Sequence, residues 1–261
     1  MSWIDKLWEI VFEKNKSPEM STVYPLVQPV LISGTYNGNY VEGELYKPPH
    51  FKKAILYCHG GFADGITPDV GAYVNTGNLT LHVDYEAEGD VFNSNPDRDV
   101  IELVDSAEMV KTLYGVTDID LVGSSRGAYA ALKAFGHHPD KFRRVVAMMG
   151  PINMNDPAYP YDWSVWGAQS PKHLAMIEGA KKYFATSLDP TQMAKAEMYK
   201  GLESRILLIY GSEDPICPLE DMMIPFCEIT KVKGIKIEGA SHNVHRTKDG
   251  QIYAVTFLNR R

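Results

Sequence analysis

The segment 118–136, "DIDLVGSSRGAYAALKAFG", joins an apolar run typical of a buried strand to a stretch with the spacing of an amphipathic helix. Between the two lies a turn of small residues, in which Gly123, Ser125 and Gly127 form a GxSxG pattern. Small neighbours are needed at a sharp strand-to-helix turn, because the strand and the helix come close together there. The segment therefore predicts an α/β structure in which this turn exposes Ser125.

Strand and helix segments alternate along the rest of the chain. The strand segments after residue 50 are "AILYC", "LTLHVD", "RRVVAMMG", "RILLIYG" and "KGIKIEG". Because several are apolar on both faces, we expect a mostly parallel sheet covered by helices on both sides. Residues 99–115 have helical spacing and end at Gly115. Nearer the start, two alternating segments flank Asn37-Gly38, a pair suited to a tight hairpin turn.

Three regions can be separated by their composition. Residues 1–29 combine an amphipathic helix with a proline-containing connector, and residues 30–261 form one α/β domain. The proline-rich and aromatic stretch at about 151–204 is interpreted as a small helical cap inserted between two strands, a position that usually shapes a pocket. The N-terminal helix is expected to pack on its own domain or on a second subunit, so a homodimer stays an alternative.

Charge and cysteine usage exclude several classes of protein. The 261 residues carry a formal net charge of -7, so no overall basic field is available for nucleic acid. Three cysteines without a CxxC pair argue against a disulfide framework or a structural zinc site. The N-terminal segment is interrupted by charges, and no long apolar span follows. We therefore expect a cytoplasmic protein without stable membrane insertion.

A serine hydroxyl becomes nucleophilic only when a base removes its proton and a third group orients that base. Asp214 follows the strand "RILLIYG" and is the candidate for the orienting acid. His242, in a loop after "KGIKIEG", is the candidate base. The weaker candidates for the three roles are Ser124, Glu213 and His245.

An oxyanion hole needs two N–H donors aimed at the charge that develops in the transition state. The backbone N–H of Arg126, directly after Ser125, is one candidate. The other is the N–H of Gly61 or Phe62, in the segment "CHGGF" that follows an early strand. His59 is expected to hold this loop rather than to transfer protons.

These motifs resemble the prolyl-oligopeptidase-like (peptidase S9) and dienelactone-hydrolase-like esterase branch of the α/β-hydrolase fold. The similarity runs from about residue 30 to the end of the chain. The pattern around Ser125 departs from the family in having Ala128 for the second glycine of a pair, and Arg126 where aromatic or small residues are frequent. The family's GxxDxxxP and GxxH motifs are met by the segments 211–218 and 239–242, and Ser125, Asp214 and His242 follow one another in the family's chain order.

The resemblance implies an eight-stranded, mostly parallel sheet and a serine hydrolase that forms an acyl-enzyme without a metal or an organic cofactor. A carboxylic ester of a small to medium acyl group is the preferred substrate. A peptidase or amidase, a thioesterase and an acyltransferase are alternatives that use the same residues. A non-catalytic binding protein with this fold is the alternative from another class.

Several side chains have two interpretations. The side chain of Arg126 meets either an anionic group of the substrate or a partner in a salt bridge across the turn. Tyr159, Trp163 and Trp166 in the predicted cap either line a pocket or pack beneath the cap. The acidic residues between 86 and 99, Asp99 among them, are expected to form a solvated loop rather than a metal site, and no HExxH motif occurs.

Overall fold

The structure, a computed structural model, describes residues 25–60, 70–84, 96–152, 162, 164, 171–186 and 196–260. Its strands are β1 (Val30–Tyr36), β2 (Asn39–Tyr46), β3 (Ala54–Cys58), β4 (Leu79–Asp84), β5 (Ile119–Ser124), β6 (Arg144–Met148), β7 (Ile206–Gly211) and β8 (Lys233–Ile237). Within the described residues they form one eight-stranded sheet in the order β1-β2-β4-β3-β5-β6-β7-β8. All neighbours from β4 to β8 in that order are parallel, and β2 is antiparallel to both β1 and β4. The predicted α/β-hydrolase fold with a mostly parallel sheet is confirmed.

The α-helices are α1 (Gly71–Val74), α2 (Pro96–Tyr114), α3 (Arg126–His137), α4 (Pro171–Thr186), α5 (Ala196–Tyr199), α6 (Met223–Thr230) and α7 (Lys248–Leu258). Among the described residues, no helix is both long enough and apolar enough to cross a membrane. The predicted N-terminal helix lies outside the described residues, and so does part of the predicted cap. Of that cap, α4 and α5 are described.

The hairpin between β1 and β2 has the turn that its sequence predicts. Asn37 and Gly38 both have positive φ, 48° and 87°. This backbone twist matches the right-handed twist of the paired strands, and Asn and Gly are the residues that adopt it most easily. The antiparallel register Tyr36↔Asn39 follows directly from the two-residue turn.

Helix α2 is longer than its apolar spacing predicts. It begins at Pro96, three residues before the predicted segment. Proline is well suited to the first position of a helix, because its missing N–H would have no partner inside the helix. The predicted end is confirmed, since Gly115 has a φ of 68° and its N–H donates to the carbonyl oxygen of Lys111 over 2.9 Å.

The amino-terminal edge of the sheet is closed by charged side chains. Asp120 at the start of β5 is buried and accepts hydrogen bonds from Lys53 and Arg143. Lys53 also donates to the carbonyl oxygen of Leu258 over 2.7 Å, so α7 ends on this cluster. A cavity of about 560 Å³ opens beside it. Because Ser125 follows the other end of β5, this cavity belongs to the opposite edge of the sheet from the candidate active site.

Candidate active site

Ser125 occupies the turn between β5 and α3 in a backbone conformation that few side chains adopt. Its φ is 51° and its ψ is -120°. Such a conformation costs about 1–3 kcal/mol and persists only where the surrounding structure enforces it. The N–H of Ser125 donates to the carbonyl oxygen of Met148 over 2.9 Å. Ser125 is partly exposed whereas its rival Ser124 is buried in β5, so the turn presents Ser125.

Two glycines allow this turn because a side chain at either position would overlap backbone atoms. A Cβ on Gly123 would lie 2.2 Å from the carbonyl oxygen of Gly127. A Cβ on Gly127 would lie 2.1 Å from the carbonyl oxygen of Cys58 at the end of β3. Strand and helix are therefore closer than any other residue would permit, as the GxSxG pattern predicts.

His242 comes from the loop after β8 and lies beside Ser125. Its Nε2 is 3.0 Å from Ser125 Oγ, and its Nδ1 is 2.9 Å from Asp214 Oδ2. Since a carboxylate only accepts hydrogen bonds, the proton of the neutral imidazole is on Nδ1. Nε2 is then the acceptor that faces the serine hydroxyl.

Asp214 lies in the loop after β7 with its carboxylate fully buried. Its Oδ1 accepts hydrogen bonds from the N–H groups of Ile216 and Cys217, at 2.8 and 2.9 Å. These bonds hold the carboxylate in the orientation in which it accepts the hydrogen bond from the imidazole. The weaker candidate Glu213 is exposed, and it is His242 rather than the neighbouring His245 that contacts Ser125. The structure thus brings Ser125, His242 and Asp214 into one hydrogen-bonded chain.

The predicted oxyanion donors are described only in part. Arg126 is the first residue of α3, so its backbone N–H lies in the first turn of the helix, where N–H groups point away from the helix body. Gly61 and Phe62 lie outside the described residues, as do Tyr159, Trp163 and Trp166. Of the "CHGG" segment, His59 is buried and its Nδ1 lies 2.6 Å from the carbonyl oxygen of Gly60.

The side chain of Arg126 forms a salt bridge with a carboxylate of α2. Its Nη2 donates to Asp99 Oδ1 over 2.8 Å and its Nε donates to Oδ2 over 3.1 Å. Asp99 is buried in the first turn of α2, so its predicted place in a solvated acidic loop is wrong. The apolar spacing that marked the helix gave no sign that an acidic residue at its start would face inward. No local signal in the sequence shows that Asp99 faces Arg126, because the pairing depends on how α2 and α3 pack.

Glu102, one turn after Asp99, is a second buried carboxyl group on α2. Burial, and then the charge of Asp99, raise its pKa to about 7, against the opposing effect of Arg98. Arg98 Nε donates to Glu102 Oε1 over 3.2 Å. The start of α2 therefore holds two carboxyl groups and the Arg126 guanidinium in a region with little solvent.

Within the described residues, one group of side chains has potential metal-ligand atoms close together, namely Asp214, Cys217 and His242. Asp214 and His242 are already hydrogen-bonded to each other. Burial raises the pKa of the Cys217 thiol well above its usual value, so this sulfur is a neutral thiol at neutral pH. The arrangement suits proton transfer at Ser125 better than metal ligation.

Comparison with known families identifies the family of the chain. The family model described as "Putative esterase" matches residues 99–252, more than half of the chain. The chain belongs to this esterase family. The matched region of the esterase includes Ser125, Asp214 and His242. A search of the curated proteins gave no match.

Solved structures similar to the esterase include enzymes of two kinds. An esterase of Pyrococcus furiosus has a TM-score of 0.68 and 15% identity, over 90% of this chain and 91% of that chain. Est1E of Butyrivibrio proteoclasticus has a TM-score of 0.65 and 15% identity, over 88% of this chain and 99% of that chain. An acylaminoacyl peptidase of Pyrococcus horikoshii has a TM-score of 0.63 and 17% identity, over 88% of this chain and 41% of that chain. At these identities the likeness establishes the fold of the esterase.

Proposed function

We propose that this esterase is a serine hydrolase that cleaves carboxylic esters of small to medium acyl groups through an acyl-enzyme on Ser125. The observation that carries the proposal is the hydrogen-bonded chain from Ser125 Oγ through His242 to Asp214, with distances of 3.0 and 2.9 Å. The strained backbone of Ser125 supports it, since strain of this kind accompanies nucleophiles held at a turn.

In the first half of the reaction, Ser125 Oγ attacks the carbonyl carbon of the ester while His242 Nε2 takes the hydroxyl proton. The carbonyl oxygen becomes an oxyanion, for which the N–H of Arg126 and that of Gly61 or Phe62 are the proposed donors. The C–O bond to the alcohol then breaks, and the alcohol leaves with the proton from His242. An acyl-enzyme on Ser125 remains.

In the second half, water attacks the acyl carbon and gives a proton to His242. The second tetrahedral intermediate collapses, the acid leaves, and Ser125 Oγ regains its proton. Asp214 stabilises the imidazolium in both halves by accepting the Nδ1–H hydrogen bond. Every proton transfer in this cycle is within the reach of one imidazole, so the scheme uses no further group.

The decisive experiment compares the wild type with Ser125→Ala in p-nitrophenyl ester hydrolysis and in labelling by a fluorophosphonate. We expect Ser125→Ala to lower kcat by about 10⁴-fold or more and to abolish labelling. Ser124→Ala is the matched control and should be labelled like the wild type. A folded wild type that is not labelled, or labelling that survives in Ser125→Ala, would contradict the proposed mechanism and favour a non-catalytic binding protein.

The class of substrate is tested with the same preparation on a panel of esters, thioesters and aminoacyl anilides. Est1E has been solved with ferulic acid bound, which makes a feruloyl ester a useful member of the panel. We expect the highest kcat/KM on an ester. A higher kcat/KM on the anilides would reassign the chain to the peptidase or amidase alternative.

A further inference from the structure

Three buried side chains from three helices meet behind the Ser125 turn. Asp99 of α2 receives the two hydrogen bonds from Arg126 of α3, and it also accepts a hydrogen bond from the hydroxyl of Tyr183 on α4. The Arg126 guanidinium carbon lies 4.9 Å from the centroid of the Tyr183 ring. All three residues are buried. We call this set the Asp99 cluster.

The Asp99 cluster joins the described part of the predicted cap to the turn. Tyr183 contacts Tyr129 as well, with ring centroids 6.4 Å apart, and the N–H of Tyr129 donates to the carbonyl oxygen of Ser125. Burial and the charge of Asp99 raise the pKa of Tyr183, so its phenol stays protonated and donates. Tyr183 therefore links α4 to the first turn of α3.

The cluster specifies geometry more than it adds stability. A buried ion pair often contributes no more to stability than apolar residues of the same volume, because both charges lose their hydration. Two parallel hydrogen bonds from a guanidinium to a carboxylate nevertheless fix direction closely. Here they fix the residue that directly follows the strained Ser125, and the backbone N–H of that residue is the proposed oxyanion donor.

We propose that Asp99, the Arg126 side chain and Tyr183 act together as positioning residues that hold the Arg126 backbone N–H against the oxyanion and couple its position to helix α4. This inference rests on the proposed function. The donor acts on charge that develops only in the transition state, so its displacement lowers kcat and leaves KM nearly unchanged. Loss of a whole oxyanion donor costs about 10²–10³-fold in kcat, and a displaced donor is expected to cost about 10-fold.

The first test is Asp99→Asn, with Asp97→Asn as its matched control. Asp97 also lies in the first turn of α2 and forms an ion pair with α3, through Lys133, but its side chain is 65% exposed and it does not contact Arg126. We expect Asp99→Asn to lower kcat, and the rate of fluorophosphonate labelling, by about 10-fold at constant KM. Asp97→Asn should keep the wild-type values. Equal losses in both variants would overturn the inference.

The second test separates positioning from stability. The double variant Asp99→Leu/Arg126→Met removes both buried charges and keeps the backbone N–H of residue 126. We expect the double variant to melt near the temperature of the wild type, because no unpaired charge stays buried. Its kcat should nevertheless stay below that of the wild type. A double variant with wild-type stability and wild-type kcat would show that the cluster only packs the helices together, and it would overturn the inference.

A third variant covers the case in which the first two fail to fold. Tyr183→Phe keeps the ion pair and removes the hydrogen bond from the Tyr183 hydroxyl to Asp99. A kcat below that of the wild type at unchanged KM supports the coupling to α4, and an unchanged kcat refutes it. Ser125→Ala keeps the two proposals apart: if it is still labelled, the proposed function fails, whereas normal Ser125 dependence with unaffected cluster variants refutes this inference alone.

Discussion

At the scale of single residues, the candidate site depends on small groups as much as on reactive ones. Ser125 reaches its position because Gly123 and Gly127 leave room for the carbonyl oxygens that pack against them. Asp214 and not Glu213 contacts His242, because two backbone N–H groups hold the buried Asp214 carboxylate whereas Glu213 faces solvent. Sequence spacing predicted both Asp214 and its place in the hydrogen-bonded chain.

Gly127→Ala is expected to destabilise the protein by about 2 kcal/mol or more, because the new Cβ would overlap the carbonyl oxygens of Cys58 and His59. These are backbone atoms at the end of a central strand and cannot move without shifting the sheet. Denaturant unfolding measures the change. Gly34→Ala is the matched control, since nothing lies within 4 Å of its Cβ position, and it should stay within about 0.5 kcal/mol of the wild type. Equal stabilities of the two variants would refute the steric argument.

Asp214→Asn is expected to lower kcat by about 10⁴-fold. The N–H groups of Ile216 and Cys217 require an oxygen at the Oδ1 position, which turns the new NH₂ group toward His242. Nδ1 must then accept, the imidazole proton moves to Nε2, and that nitrogen can no longer take the proton of Ser125. Steady-state kinetics on a p-nitrophenyl ester measure the loss. Glu213→Gln removes the same charge one residue earlier and should keep kcat within about 2-fold of the wild type. If Glu213→Gln lowered kcat as much as Asp214→Asn, loss of negative charge and not the hydrogen bond to His242 would explain the effect.

At the scale of elements, helix α2 has two functions that its apolar spacing did not separate. Its apolar face packs in the core, as predicted, while Asp99 in its first turn has a buried carboxylate that contacts α3 and α4. Helical spacing predicts which residues share a face, and it does not tell which helix that face meets. The start of α2 at Pro96 and the inward direction of Asp99 were therefore the least predictable parts of this element.

Glu102→Gln is expected to stabilise the protein at high pH. Because the pKa of Glu102 is about 7 in the folded chain and lower in the unfolded chain, the wild type loses stability as pH rises through that range. The glutamine variant has no such loss. Its advantage in free energy of unfolding should grow from near zero at about pH 4 to at most about 3 kcal/mol at about pH 8.

Glu108 on the same helix provides the control with opposite sign. The hydrogen bond from Lys141 lowers the pKa of Glu108, so its contribution to stability is present at neutral pH and lost in acid. Glu108→Gln should therefore destabilise the protein at neutral pH, and this difference should shrink as the pH falls. If the stability of the two variants changed with pH in the same direction, relative to the wild type, burial would not be the cause of the raised pKa of Glu102.

At the scale of the whole molecule, the three cysteines report on global unfolding. Cys58, Cys217 and Cys227 are buried, and burial raises the pKa of Cys227 to about 12. We expect none of them to react with Ellman's reagent in the native protein and all three to react in denaturant. Iodoacetamide should leave the activity intact, while a fluorophosphonate abolishes it. Rapid loss of activity with one modified thiol would contradict this.

The sequence by itself determined the order of strands and helices, the hairpin at Asn37-Gly38, the Ser125 turn and the choice of Asp214 and His242. The choice of Asp214 and His242 depended on the position of loops at the carboxyl ends of parallel strands and on the chain order of the family that the motifs resemble. The other features depend on local rules: apolar spacing and the φ values that glycine and asparagine permit. Such rules act within a few residues of the chain, so one sequence suffices to apply them.

Only the tertiary structure decided what the Arg126 side chain does. Asp99 lies 27 residues before Arg126, and Tyr183 lies on α4, the helix Pro171–Thr186. No spacing rule links three helices so far apart in the chain. An ion pair forms between whichever charges the packing of helices brings together, and water is excluded only once those helices have assembled. The geometry of the proposed oxyanion donor therefore depends on the packing of α2, α3 and α4.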